Sequence, residues 1–196
     1  MTEDWRSLHY LRTGSPRQRR AYATLEASGL WPLLREFDPV LAGTVPLGID
    51  IAGSDLDVLC EVPEAAQARF AALLRAHFEA RPGFRLAQRR IGGHATTVCG
   101  FRYDTEEIEV FGQALPIAQQ HGWRHLLVER AVLAAGGEAW RTAVRALKRQ
   151  GFKTEPAFAQ LLGLPGAPYA ALLTLENWPD EMLRERVASR PLLKPE

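Results

Sequence analysis

Asp55 and Asp57 stand one residue apart, and each is followed by an apolar residue, Leu56 and Val58. In an extended chain alternate side chains share a face, so this spacing aims two carboxylates at one spot while Leu56 and Val58 turn into a core. Two negative charges a few ångströms apart raise each other's pKa unless a cation neutralises them. Hard oxygen donors on a rigid strand suit Mg²⁺ or Mn²⁺, and Mg²⁺ leaves its other positions to water and substrate phosphates. A third carboxylate follows in Glu107-Ile108-Glu109-Val110-Phe111, where Ile108 and Val110 face inward and Glu109 faces away from them, beside Glu107. If the two strands are neighbours, Asp55, Asp57 and Glu109 converge, the arrangement that holds two metal ions for in-line phosphoryl displacement. Gly43-Thr44 upstream fits this chemistry, because a residue without a side chain lets backbone N–H groups approach phosphate oxygens and a hydroxyl adds a donor.

Periodicity supplies the elements that must position these residues. Ser15-Pro16 signals a helix start, with Ala21, Tyr22 and Leu25 on one side and a stop near Gly29; a short apolar helix follows over Leu30 to Phe37. Asp38-Pro39 breaks the pattern, and Val40-Leu41-Ala42 leads into the glycine-rich turn. Leu56, Val58, Cys60 and Val62 alternate with Asp55, Asp57, Leu59 and Glu61, which predicts a strand closed by Pro63. Phe70, Leu73, Leu74 and Phe78 then recur at helical spacing, and Arg81-Pro82-Gly83 stops that helix. Three strand-like runs, Phe84 to Ile91, Ala95 to Tyr103 and Glu107 to Phe111, are separated by turns short enough for hairpins. Beyond Pro116 the pattern is helical, over Trp123 to Ala135, Ala139 to Gln150, Phe158 to Leu162 and Tyr169 to Leu175. The expected class is α+β: a small mixed or antiparallel sheet flanked by helices, followed by a C-terminal helical region. The expected division is 1–115 for the α/β core with its N-terminal helices and 116–196 for the helical region.

The residues Ala42-Gly43-Thr44 and Asp55-Leu56-Asp57-Val58, with the interval between them, resemble the DNA polymerase β-like nucleotidyltransferase superfamily. Gly48 and Ser54 coincide with residues typical of that loop, and Ile108-Glu109-Val110 resembles the family's third, apolar-acidic-apolar element. The stretches 46–51, 108–113 and 153–159 are similar to an uncharacterised bacterial family of unknown function within that superfamily. The resemblance implies transfer of a nucleoside monophosphate from a nucleoside triphosphate to an acceptor hydroxyl, with release of pyrophosphate. It implies that Asp55, Asp57 and Glu109 are catalytic and bind Mg²⁺ or Mn²⁺, and that Gly43, Thr44 and Ser54 bind the nucleotide. Thr44 stands where serine is usual, and Leu47 stands where many minimal members carry arginine before the glycine. Another cation must then serve the triphosphate, and Lys148, Lys153 and Arg102 are the candidates. By the same resemblance the helical region selects the acceptor, with a small molecule favoured over nucleic acid or protein.

Ordinary roles stand beside these. Asp55 can cap a turn with Ser54, Asp57 can be a solvated strand residue, Glu109 can pair with an arginine, and Asp50 makes a local turn bond. His121 and His125, at i, i+4 spacing, lack a third ligand in the sequence and read as surface or packing residues. Arginine clusters at 17–20 and 85–90 read as solvated faces, and Trp123, Trp140 and Phe158 as packing. Cys60 and Cys99 lack metal-ligand companions and read as buried, reduced thiols. With 24 Lys plus Arg against 23 Asp plus Glu, the net charge of +1 demands neither nucleic acid nor a membrane surface. A start without a secretory pattern and the lack of a long apolar run point to a cytoplasmic protein with no membrane partner. The alternative reading is a catalytically inactive nucleotide-binding or regulatory module, or one component of a two-protein system.

Overall fold

In a computed structural model of the chain, residues 7–192 are described. They divide into two compact units: residues up to Pro46 with Gly53–Trp123, and Leu47–Ala52 with Arg124 onward. The expected divide was at 115/116; this one falls within a long helix, and the 47–52 loop goes with the helical unit.

The first unit is built on a five-stranded mixed sheet. Its strands are β1 (Val40–Ala42), β2 (Leu56–Glu61), β3 (Arg85–Ile91), β4 (His94–Tyr103) and β5 (Glu106–Gln113), in spatial order β1-β2-β5-β4-β3. β3, β4 and β5 form the antiparallel meander that the two short turns predict, and β5 returns alongside β2 as its parallel neighbour. Leu56, Val58, Cys60, Ile108 and Val110 have no exposed surface and join one core. That core takes in Phe70, Leu74 and Phe78 from α4 (Gln67–Phe78), and Ala21 and Leu25 from α1 (Pro16–Ala27). Phe78 stacks on Phe101 with ring centroids 4.3 Å apart, and Phe37 meets Phe70 edge-on at 4.8 Å. Each such buried Leu, Ile or Phe contributes about 1.5–3 kcal/mol relative to exposure. The α+β class is as the period-two and period-3.6 patterns indicate.

Several elements differ from expectation. Val40–Ala42 is itself the edge strand, paired antiparallel with β2. The short helix after Gly29 is α2 (Leu30–Leu34), continued as a 3₁₀ turn over Arg35–Phe37. Gly43-Thr44 is more than a turn: Thr44 opens a single helical turn, α3 (Thr44–Leu47), and is itself buried.

In the second unit, the two helices expected around Gly136-Gly137 are both present, as the two halves of α5 (His121–Arg149), whose first residues belong to the first unit. Gly137, at φ 62° and ψ −153°, has a non-helical backbone and separates the two halves. α6 (Thr154–Leu162), α7 (Pro168–Leu173) and α8 (Asp180–Ala188) follow, and α8 has no counterpart in the sequence reading. The 47–52 loop is held by α5: Arg145 donates to the Gly48 carbonyl at 2.5 Å and Arg141 to that of Leu47 at 3.4 Å. His125, Glu129 and Lys148 are buried here; His125 Nε2 lies 3.0 Å from the Tyr169 carbonyl, and Nδ1 3.6 Å from Glu155. Burial, with Glu155 adding to it and Lys148 opposing it, raises the Glu129 carboxyl well above the usual range. Among the described residues no helix is long and apolar enough to cross a membrane.

Candidate functional site

The parallel pairing of β2 with β5 puts Asp57 opposite Glu109. The register continues to Ala42 on β1 in one direction, and to Gly100 on β4 and Arg85 on β3 in the other. Ala42, Asp57, Glu109, Gly100 and Arg85 thus form one row across all five strands, at about 4.8 Å per step. Side chains in a row share a face, and the neighbouring positions of β2 and β5 fill the core on the other face. Asp55 lies one residue before β2 begins, at the same alternation as Asp57.

Gly43 completes this end of the row. Its φ is +71°, a conformation that costs a residue with a Cβ about 1–2 kcal/mol, and a Cβ built there would overlap the Asp57 carboxylate. The Gly43 backbone and the Asp57 carboxylate are therefore in direct contact, and glycine is required on both counts. Ser54 contributes through its backbone, because its carbonyl accepts a hydrogen bond from Arg17 Nη2 at 2.9 Å.

Glu109 has its own partner. Arg85 Nη2 donates to Glu109 Oε1 at 3.2 Å, and the guanidinium reaches it by lying where a Cβ on Gly100 would be. Gly100 has no positive φ, so its lack of a side chain serves this approach. Glu107, the next residue on this face of β5, is paired with Arg102 at 2.5 Å. Among the described residues, no three His, Cys, Asp or Glu side chains are grouped as a metal-ligand set. The donor chemistry still suits a hard divalent ion: Asp57 lies in the row, Asp55 precedes it by two residues, and Mg²⁺ needs no more than one or two carboxylates from its protein.

The cation candidates are distributed differently from expectation. Arg102 is engaged by Glu107, Lys148 is buried in the helical unit, and Lys153 stands at the N-cap position of α6. Cys60 and Cys99 are free and buried; burial pushes the Cys99 thiol up to about 12 and raises that of Cys60 as well, so both are inert packing groups. Arg85 and Gly100 were missed as site residues, although a glycine inside a strand-like run is a signal of close approach. Arg17 and Gln18 were missed too, although Ser15 to Gln18 carries the spacing of a capping box, which the structure forms.

Comparison with known proteins adds a family and a fold. No curated protein matches the chain. Among solved structures, it is similar to Cid1 in a structure described as a basis for its RNA terminal uridylyl transferase activity, at 12% identity and a TM-score of 0.53. That match covers 82% of this chain and 49% of the other. It is similar also to the Cid1 poly(U) polymerase bound to Mg 3′-dATP, at 12% identity and a TM-score of 0.52, again covering 82% and 49%. The chain spans about half the length of these proteins, and at such identity the likeness is one of fold. The family model of the domain of unknown function DUF4269 matches residues 23–175, the stretch that holds the five strands and the carboxylate row, and the chain is a member of that family.

Proposed function

We propose that the protein is a metal-dependent nucleotidyltransferase that transfers a nucleoside monophosphate from a nucleoside triphosphate to an acceptor hydroxyl. One observation carries this reading: Asp57 faces Glu109 across parallel strands while the Gly43 backbone packs on the Asp57 carboxylate. The shared fold with Cid1, one structure of which is described as bound to Mg 3′-dATP, supports it.

In this reading Asp55 and Asp57 would hold Mg²⁺ or Mn²⁺, and Glu109 would complete a second position. Bound there, divalent ions supply charge neutralisation for the triphosphate and for the oxygens that form and leave in the displacement. Gly43 and Thr44 would bind the triphosphate through the backbone at the start of α3, and Ser54 would fix the chain that delivers Asp55. The acceptor oxygen forms its bond to the α-phosphorus as the α–β bridging P–O bond breaks. Pyrophosphate leaves, and Glu109 or water takes the hydroxyl proton. The two matched Cid1 structures carry descriptions of a poly(U) polymerase and an RNA terminal uridylyl transferase, so the small-molecule acceptor finds no support in them. An RNA 3′-hydroxyl belongs in the same acceptor panel as small hydroxyl compounds.

Titration calorimetry with each of the four ribonucleoside triphosphates, with and without Mg²⁺, tests the reading in wild type and Asp57→Asn. Metal-dependent binding that the variant loses supports it; equal binding by both proteins, or none by either, overturns it. A second reading, nucleotide binding without transfer, is favoured by one observation: Arg85 engages Glu109, the carboxylate meant for the second metal position. Saturable Mg-nucleotide binding with no pyrophosphate release across the acceptor panel would select it.

A further inference from the structure

The first turn of α1 carries two adjacent polar side chains whose long-range partners flank the 47–52 loop. Arg17 Nη2 donates to the Ser54 carbonyl at 2.9 Å, and Arg17 Nη1 lies 2.7 Å from Glu106 Oε1. This pair is nearly closed to solvent, with the two side chains 15% and 10% exposed. Gln18 Nε2 donates to the carbonyls of both Val45 and Pro46 at 3.1 Å, while Gln18 Oε1 accepts from the Ser15 backbone N–H at 2.9 Å. Both Gln18 amide hydrogens and its oxygen are thus committed, which fixes the rotamer. Pro16 at the first helical position and the Ser15 cap set where the helix starts, and so where these two side chains leave it.

Their targets are the positions the carboxylate row depends on. Ser54 immediately precedes Asp55, Glu106 opens β5 three residues before Glu109, and Val45 and Pro46 follow Gly43-Thr44. The Arg17 fork ties the starts of the two parallel strands together, and Gln18 ties down the turn that packs on Asp57. A plain buried ion pair would account for Glu106 alone; it would not spend a guanidinium donor on the carbonyl next to a candidate metal ligand, nor a neighbouring amide on the other side of the same loop.

We infer that Arg17 and Gln18 are positioning residues, holding Asp55 and the Gly43-Thr44 turn in the geometry that Mg-nucleotide binding needs. The inference rests on the nucleotidyltransferase reading. Without these contacts the Gly43–Pro46 turn and the Ser54-Asp55 segment would have to be ordered at each binding event, which weakens affinity without removing any group that touches the nucleotide.

The test uses the full chain in four forms: wild type, Arg17→Met, Arg17→Met/Glu106→Gln and Gln18→Met. Arg17→Met leaves Glu106 buried and charged, so it can lower Tm or fail to fold; the double variant removes that charge and restores the fold. Three quantities are read: Tm, hydrogen exchange of residues 43–57, and Kd for each Mg-ribonucleoside triphosphate. The expected result is a double variant with near wild-type Tm, faster exchange confined to 43–57, and affinity about 10- to 100-fold weaker, the range typical of residues that orient ligating groups. Gln18→Met is expected to shift exchange and affinity in the same direction. Affinity recovering together with Tm in the double variant overturns the inference, since a merely structural role predicts that recovery. Should wild type bind no Mg-nucleotide, the nucleotidyltransferase reading fails on its own, and exchange decides the clamp: acceleration confined to 43–57 supports it, and no change overturns it.

Discussion

The two units each carry acidic groups, and they handle them in opposite ways. In the sheet unit, Asp57 and Glu109 face each other on paired strands, and Glu109 keeps roughly a third of its side chain exposed even beside Arg85. In the helical unit, Glu129 is buried near Lys148 and Glu155, and that burial pushes its proton affinity up. Burial of a carboxyl with a lysine nearby is a packing solution whose consequences are read in stability. A carboxylate at a sheet face that solvent reaches keeps its charge available to a partner, as Glu109 does with Arg85.

Four substitutions can break or sharpen that contrast, in order of effect. Asp57→Asn is expected to weaken Mg-nucleotide binding by at least about 100-fold while leaving unfolding free energy within about 0.5 kcal/mol of wild type. A large loss of stability by urea denaturation would move Asp57 into the structural class. Gly43→Ala brings a Cβ onto the Asp57 carboxylate at a positive φ, so it should lose about 1–2 kcal/mol of stability and roughly tenfold in affinity together. Retained affinity in that variant would show that the close approach of Gly43 to Asp57 is irrelevant to binding.

Glu129→Gln is expected to leave nucleotide affinity unchanged and alter only the pH profile. A carboxyl whose folded pKa lies above its unfolded value, near 4.5, stabilises the fold below that value and loses this contribution as pH rises through the folded pKa. Wild type should therefore decline in Tm from about pH 4.5 upward more steeply than the variant, and parallel profiles would refute the assignment. Arg85→Met has the smallest effect: the pair with Glu109 is surface-exposed, so stability should change by less than about 0.5 kcal/mol. Release of Glu109 should tighten Mn²⁺ binding a few-fold, as read by water-proton relaxation. Weaker Mn²⁺ binding would instead make Arg85 the group that orients Glu109.

Much of the sheet was legible because its strands bury one face, so Leu56-Val58-Cys60 and Ile108-Val110 write a period of two into the chain. That Asp57 and Glu109 stand on neighbouring strands was legible as a condition, and the parallel register makes them Cα partners. What connects distant positions was not legible. No local pattern says that Arg17 reaches Ser54, that Arg85 crosses Gly100 to Glu109, or that Arg141 and Arg145 hold the carbonyls of the 47–52 loop. α8 escaped because only Leu183 and Val187 are buried along it, too few to mark an apolar stripe. Gly136-Gly137 was legible as a helix break, and the non-helical backbone of Gly137 does separate the two halves of α5.

The parallel β2–β5 pair has a consequence for how the molecule comes into being. Asp57 and Glu109 are roughly fifty residues apart in sequence, and joining them closes a loop containing α4 and two strands, a larger entropic cost than either neighbouring hairpin carries. The β3–β4 and β4–β5 hairpins can form from neighbouring residues, but neither brings an aspartate to Glu109. A nascent or partly opened chain therefore holds the parts of the row without the row. Any ligand that needs both strands acts as a reporter of completed folding, and by binding only the native state it adds to that state's stability.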